Sequence, residues 1–300
     1  MKNIIYLSKF QLKTTKKQWL GWTIAVFGIL FLYMILFPSV KEMGQIKLDA
    51  MPKELLQVIG VEKMSDLSDY TTYFGMVYQF VLVAISIFAV TYGAGNLSKE
   101  EKNKSIEFLY ALKVSRSQIF ISKCVCSLIT LLIIICLGAI ATLLCGVING
   151  GDTFNVANII SIVSTSSVTA IFFMSVGLMI SGISSKLSGA SLAGFLISLS
   201  YILGYIAELG GEKLSFLSYF SPFYLFNGTN VLAMEFNTFV ALKVYFALII
   251  LFIYIGLTFY KKKRFKIKLR RKYVYFCIKN GTSCIYYIFT WLLCKRKTDY

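Results

Sequence analysis

The sequence predicts an all-α integral membrane protein with six transmembrane helices and both termini in the cytoplasm. Three observations carry that prediction. First, 57% of the side chains are apolar, only 15% are charged, and the mean hydropathy is +0.71, too apolar for a water-exposed surface. Second, the apolar residues gather into six stretches, 19–37, 72–95, 124–148, 158–182, 187–206 and 239–260. Each is near the roughly 20 residues that a helix needs to cross a hydrocarbon core about 30 Å thick. Third, the basic residues are segregated: segments 1–18 and 96–123, Lys186 and the residues after 260 hold 25 Lys and Arg against four acids. Segments 38–71, 149–157 and 207–243 hold 6 against 10. The excess of positive charge marks the cytoplasmic side, so the net charge of +17 is a topology signal and not a nucleic-acid footprint.

Composition also excludes most chemistry. The chain has no histidine, which removes His-based triads, Cys-His pairs, His-containing zinc sites and imidazole proton relays. It has no Gly-Lys dipeptide, so no phosphate-cradling P-loop exists. The cysteines lack metal or redox spacing, and no motif for a cofactor is present. The protein is expected to be no enzyme in itself.

Taken in order, Ile4, Leu7 and Phe10 recur every three residues among Lys2, Lys9, Lys13, Lys16 and Lys17. That pattern fits an amphipathic helix on the inner leaflet, the alternative being a plain basic tail. Span 19–37 is too long for a signal peptide and has no small-x-small cleavage pattern, so it reads as an uncleaved first span with Trp19 and Trp22 as interfacial anchors.

The stretch after the second span, 96–123, holds two predicted helix starts. Ser98-Lys99-Glu100-Glu101 fits a capping box, and Ser115-Arg116-Ser117-Gln118 fits another, with Val114 and Ile119 placed as a hydrophobic staple. A short helix over about 99–112 is expected, with Glu100 and Glu101 at its positive end and a stripe of Ile106, Leu109 and Leu112. Such a helix can dock a partner or merely cover the bundle. A second helix should start at Arg116 and run into the third span.

Among the polar uncharged residues in the spans are Gln79 in the second and Ser161, Ser164, Thr165, Ser166, Ser167 and Thr169 in the fourth. Gln79, Ser164 and Ser167 are candidates for lining a pathway; equally, these are groups that let membrane helices approach closely. Lys243 lies one turn inside the last span, where it can snorkel to the headgroups.

The segment that joins spans two and three resembles type 2 ABC exporter permeases, the membrane subunits of ATP-binding-cassette transporters. The resemblance rests on Tyr92-Gly93-Ala94-Gly95 at the end of the second span, then Leu97-Ser98-Lys99-Glu100-Glu101, Lys104, Glu107-Phe108-Leu109, Ser115-Arg116 and Lys123. Upstream, Leu55, Leu56, Ile59 and Gly60 before Asp69-Tyr70 resemble the family's external segment, and Leu217 to Phe223 resembles its aromatic, proline-containing stretch before the last span. It covers residues 1–262. It implies that 99–112 is a coupling helix seated on a soluble ATPase subunit, with Ser98, Glu100, Glu101, Lys104, Glu107, Leu109, Ser115 and Arg116 as coupling residues. It further implies a second permease half, homo- or heterodimeric, a partly re-entrant external hairpin over 207–238, and export of an unidentified substrate, for which a peptide, a drug and a lipid-like compound are all open, across a bacterial cytoplasmic membrane. The rivals are an ion-coupled secondary transporter, disfavoured because the spans hold no Asp, Glu or His, and a non-transporting anchor or sensor.

Residues 263–300 fit that family poorly. A basic run to Lys272 precedes an apolar, aromatic stretch interrupted by Lys279-Asn280-Gly281, and crossing the membrane would place Lys295, Arg296 and Lys297 outside. An interfacial or peripheral tail is expected.

Overall fold

The computed structural model describes residues 2–41, 69–102, 114–184, 189–209, 211–232 and 236–262. Among them the chain forms helices and no strand: α1 (Lys2–Thr14), α2 (Lys16–Ile35), α3 (Tyr70–Lys102), α4 (Arg116–Asn149), α5 (Val156–Ile183), α6 (Gly189–Leu209), α7 (Pro222–Leu225), α8 (Gly228–Leu232) and α9 (Phe236–Lys262). Two 3₁₀ segments, Gly151–Thr153 and Gly211–Phe220, connect them.

Five helices among the described residues, α2, α3, α4, α5 and α9, are long and apolar enough to cross a membrane. The expected fifth span, 187–206, coincides with α6, whose apolar stretch Ser191–Ala207 is shorter than the other five. Residues 185–188, which precede it, and the C-terminal tail 263–300 lie outside the described residues.

The layers are set by α5, which packs between α3 and α9. Without a hydrophobic force between helices in lipid, close packing of small residues must hold them together. Two glycine crossings do this. A Cβ on Gly177 would stand 2.7 Å from the carbonyl oxygen of Val90 on α3, and one on Gly93 would stand 2.8 Å from that of Met174 on α5. Near the end of α5, a Cβ on Gly182 would lie 2.6 Å from the carbonyl oxygen of Gly256 on α9. The backbones therefore approach more closely than any side chain allows. On the other flank, α4 packs against α2, where Gly138 leaves room for Leu30, and also against α1.

Local chemistry fixes the helix ends. Ser115 caps α4: its hydroxyl accepts from the Gln118 amide (3.2 Å) while the Gln118 side chain accepts from the Ser115 amide (3.0 Å), the expected capping box. Asp69 starts α3, its carboxylate accepting from the amide and hydroxyl of Thr72 at 2.9 and 2.8 Å. Between α4 and α5, Gly151 has φ of 53°, and the bare backbones of Gly146 and Gly150 admit the ring of Phe154, which meets Tyr70 edge-on at 5.6 Å. Asn155 then caps α5 through the amides of Ala157 and Asn158.

One expected boundary is corrected. Ser98 starts no helix: α3 runs through it to Lys102, and its hydroxyl donates to the carbonyl of Ala94 at 2.8 Å. Satisfied within its own helix, Ser98 has no capping to do, and the turn that the sequence placed there is absent.

Gly177→Ala should therefore destabilise the protein by about 1–3 kcal/mol through overpacking, although alanine is the better helix former. Gly28→Ala, with no atom within 4 Å of its added Cβ, should be neutral or mildly stabilising. Thermal unfolding of the detergent-purified protein reads the difference; equal behaviour of the two variants would contradict the α3–α5 crossing.

Candidate functional site

Two polar clusters stand at opposite ends of the bundle. At one end, α7, α8 and the 3₁₀ segment before them form a broken turn, whose free carbonyls need partners wherever water is excluded. The spans supply them. Gln79 of α3 donates to the carbonyl of Phe223 at 2.9 Å, Ser166 of α5 to that of Phe226 at 2.7 Å, and Thr169 of α5 to that of Pro222 at 3.3 Å. Tyr245 of α9 reaches the carbonyl of Tyr219 at 3.0 Å, and Asn230 closes the turn internally on that of Tyr224 at 2.8 Å. Ser221 caps α7 by accepting from the Tyr224 amide, with Pro222 at the first helical position, and is fully buried against Gly204 of α6. An aromatic layer fills beneath: Phe223 stacks on Phe173 at 5.3 Å, and Phe226 and Phe172 meet Tyr245 edge-on at 5.4 and 5.0 Å.

Three pathway candidates thus have distinct settings. Gln79 is spent on the broken turn. Ser164 and Ser167 make only local bonds, to the carbonyls of Ser161 and Ser164, and do not join Gln79 in one cluster. Ser166 and Thr169 of the same hydroxyl-rich run face the turn.

At the opposite end lies a buried network among α1, α3 and α4. The Thr15 hydroxyl pairs with Tyr92 OH at 2.8 Å, Tyr92 OH lies 3.6 Å from Cys126 Sγ, and the Asn96 amide donates to Ser127 Oγ at 3.2 Å. Lys123, 1% exposed, donates through Nζ to the carbonyl of Asn96. That carbonyl lies on α3 six residues before its end, so the contact is a charge-assisted hydrogen bond between the two helices. Ser8 of α1 donates to the Ser122 carbonyl at 3.0 Å.

The predicted coupling residues divide here. Ser98 is buried within α3, and Ser115 caps α4. Arg116 donates through Nη1 to the carbonyl of Lys261 at 3.1 Å, tying the start of α4 to the last turn of α9. The backbone of Glu100 and Glu101 continues α3, while Lys104, Glu107 and Leu109 lie outside the described residues.

Sequence reading missed Lys123 as a buried group, since it stands one residue before the third apolar stretch. The signal was the capping box at Ser115, which puts Lys123 two turns inside α4. It also missed the inward face of α1. Ile4 and Leu7 are half-buried beside Ser8, Gln11 and Thr15, whereas Phe10 is 67% exposed, so the three do not form one stripe. Hydrogen bonding, which hydropathy does not count, selected that face.

Residues 9–261 match a family model described as the C-terminal domain of the multidrug efflux system permease Rv1217c. No curated protein and no solved structure matches the chain.

Gln79→Leu should leave the Phe223 carbonyl without its side-chain partner, at a cost of about 1–3 kcal/mol. Hydrogen exchange at amides 223–232 should accelerate about tenfold, since about 1.4 kcal/mol is a factor of ten in local opening, while α4 stays protected. Unchanged exchange would show that the bond does not hold the turn.

Proposed function

The chain belongs to that permease family and is a multi-pass membrane transport subunit, and from this premise we propose that it is one half of an ATP-binding-cassette exporter whose ATP is hydrolysed on a separate soluble subunit. The observation that carries the reading is the base of the bundle. The long α3 continues unbroken to Lys102 and α4 restarts at Arg116 with a full capping box. The eleven residues 103–113 are thereby strung between two bundle helices, and a push on that link acts on both. Arg116 extends the same connection to α9.

In this reading residues 99–112 seat on the ATPase, with Glu100, Glu101, Lys104, Glu107 and Leu109 making the contact and Ser115 and Arg116 passing movement to α4 and α9. Six spans place both termini in the cytoplasm of a bacterial cell and the broken turn over 211–232 at the outer end, where it closes the exit. Two such halves, alike or different, enclose the pathway. The exposed apolar side chains on α2 and α9, among them Ile24, Leu32, Phe246 and Ile250, face lipid or the second half. Ion coupling is the weaker reading because the apolar stretches hold no carboxylate or imidazole. A drug, a peptide or a lipid-like molecule would each be in keeping with the multidrug efflux role named for the family's Rv1217c.

Two measurements test this. Substituting both Glu100 and Glu101 with Lys should abolish co-purification of the ATPase while membrane insertion is kept, because reversing two contact charges opposes docking; normal co-purification would remove the coupling role from this helix. In proteoliposomes, transport by the assembled complex should require ATP and persist when proton and sodium gradients are collapsed. Movement of substrate driven by an ion gradient without nucleotide would favour secondary transport instead.

A further inference from the structure

We propose that α1 is a docking surface for anionic phospholipid headgroups in the leaflet where the first span begins. The helix has two opposed faces. Ile4, Ser8, Gln11 and Thr15, spaced four, three and four residues apart, point into the protein, and Ser8, Gln11 and Thr15 are at most 8% exposed. Ser8 bonds α4 and Thr15 bonds α3, so this face is taken. Two residues on, about 200° around the helix, Tyr6, Phe10 and Lys13 lie on the outside, and Lys17, also exposed, follows in the first turn of α2. Tyr6 and Phe10 are 72% and 67% exposed, and Lys9 and Lys16 flank them, also exposed.

The charges on this outer side have no counterpart in the chain around them. Residues 1–41 contain no Asp or Glu. On a water-facing helix, exposed lysines are commonly supported by acids three or four positions away; here Lys13 has Lys9 one turn back in α1, and Lys16 and Lys17 follow at the start of α2, all of one sign. Lys16 and Lys17 also occupy the first turn of α2, the positive end of its dipole, and Thr15 supplies no side-chain cap there. An external anion relieves each of these repulsions.

The neighbouring side chains choose the class of anion. Tyr6, Phe10 and Ile5 are large and apolar, and a soluble phosphate or an acidic peptide in water would leave them wet. A phospholipid offers the anionic head to the lysines and the upper acyl chain to the rings, as at the interfaces where basic and aromatic residues gather. The first apolar stretch begins at residue 19, directly after Lys17, which holds these lysines at headgroup level. Topology alone requires basic residues near a span; it does not require them on the one helical face that packing leaves open. The proposal depends only on residence in a membrane and not on coupling to an ATPase.

The test uses the full-length chain in nanodiscs, with Trp291→Phe leaving Trp19 and Trp22 as reporters beside α1. Quenching of their fluorescence by brominated phosphatidylglycerol and by brominated phosphatidylcholine is compared at equal mole fraction. A preference of about fivefold or more for the anionic lipid is expected at low salt. It should fall to near unity when Lys9, Lys13, Lys16 and Lys17 are all changed to Gln, and also for the unsubstituted chain in about 0.5 M salt, where screening is nearly complete within a few ångströms. Should the four-lysine variant fail to insert, the salt series on the unsubstituted chain decides. Equal quenching by the two lipids, a preference that survives high salt or the Lys→Gln changes, or its abolition by millimolar inorganic phosphate would each overturn the proposal.

Discussion

The bundle depends on how closely α5 lies to α3 and α9. In lipid, burying one apolar side chain against another replaces contact with an equally apolar acyl chain, so burial alone does not order helices. Backbone-to-backbone approach does, because it gains dispersion contacts that a lipid tail cannot match. Gly93 with Gly177, and Gly182 with Gly256, allow that approach, and each added Cβ would fall within 3 Å of a main-chain atom in the facing helix. Whatever moves α5 moves both of its neighbours, since no side chains stand between them to absorb the shift.

That closeness positions the polar groups at both ends. Gln79, Ser166 and Thr169 come from two helices, yet they converge on the carbonyls of three residues within 222–226. A chain segment without regular helix is tolerated against an apolar bundle only when such groups satisfy it. The hydroxyls of α5 therefore serve an irregular segment distant in sequence by some fifty to sixty residues. At the other end, the buried Lys123 and its neighbours bind α1, α3 and α4 into one unit, and Arg116 adds α9. The facing ends of α3 and α4 are thereby joined by side-chain bonds to α1 and α9 as well.

The N-terminal helix belongs to the same unit. Ser8 and Thr15 on its inner side are bonded to α4 and α3, and its outer side carries exposed lysines and aromatic rings. In the proposed arrangement this helix would connect the lipid surface to the network that joins α3 and α4.

Much of this protein was determined by sequence alone. Long apolar runs determine a helical membrane chain, because a span in lipid must satisfy every backbone group within itself and that requirement is visible as length and hydropathy. The box at Ser115 was legible for the same reason: it is local, made by residues three apart. Ser98 carries the same signature and starts nothing, because a serine hydroxyl bonds equally well to a carbonyl one turn back, and continuity of α3 decides between the two. The fifth apolar stretch had nearly the length of a span, but the helix there offers a shorter apolar length than its neighbours. Only the tertiary structure decided which polar residues do what. That Gln79 holds the Phe223 carbonyl, that Lys123 of α4 lies buried against α3, and that Ser8 and Thr15 turn inward all follow from partners 70 or more residues away or on another helix, and hydropathy patterns carry no information about partners.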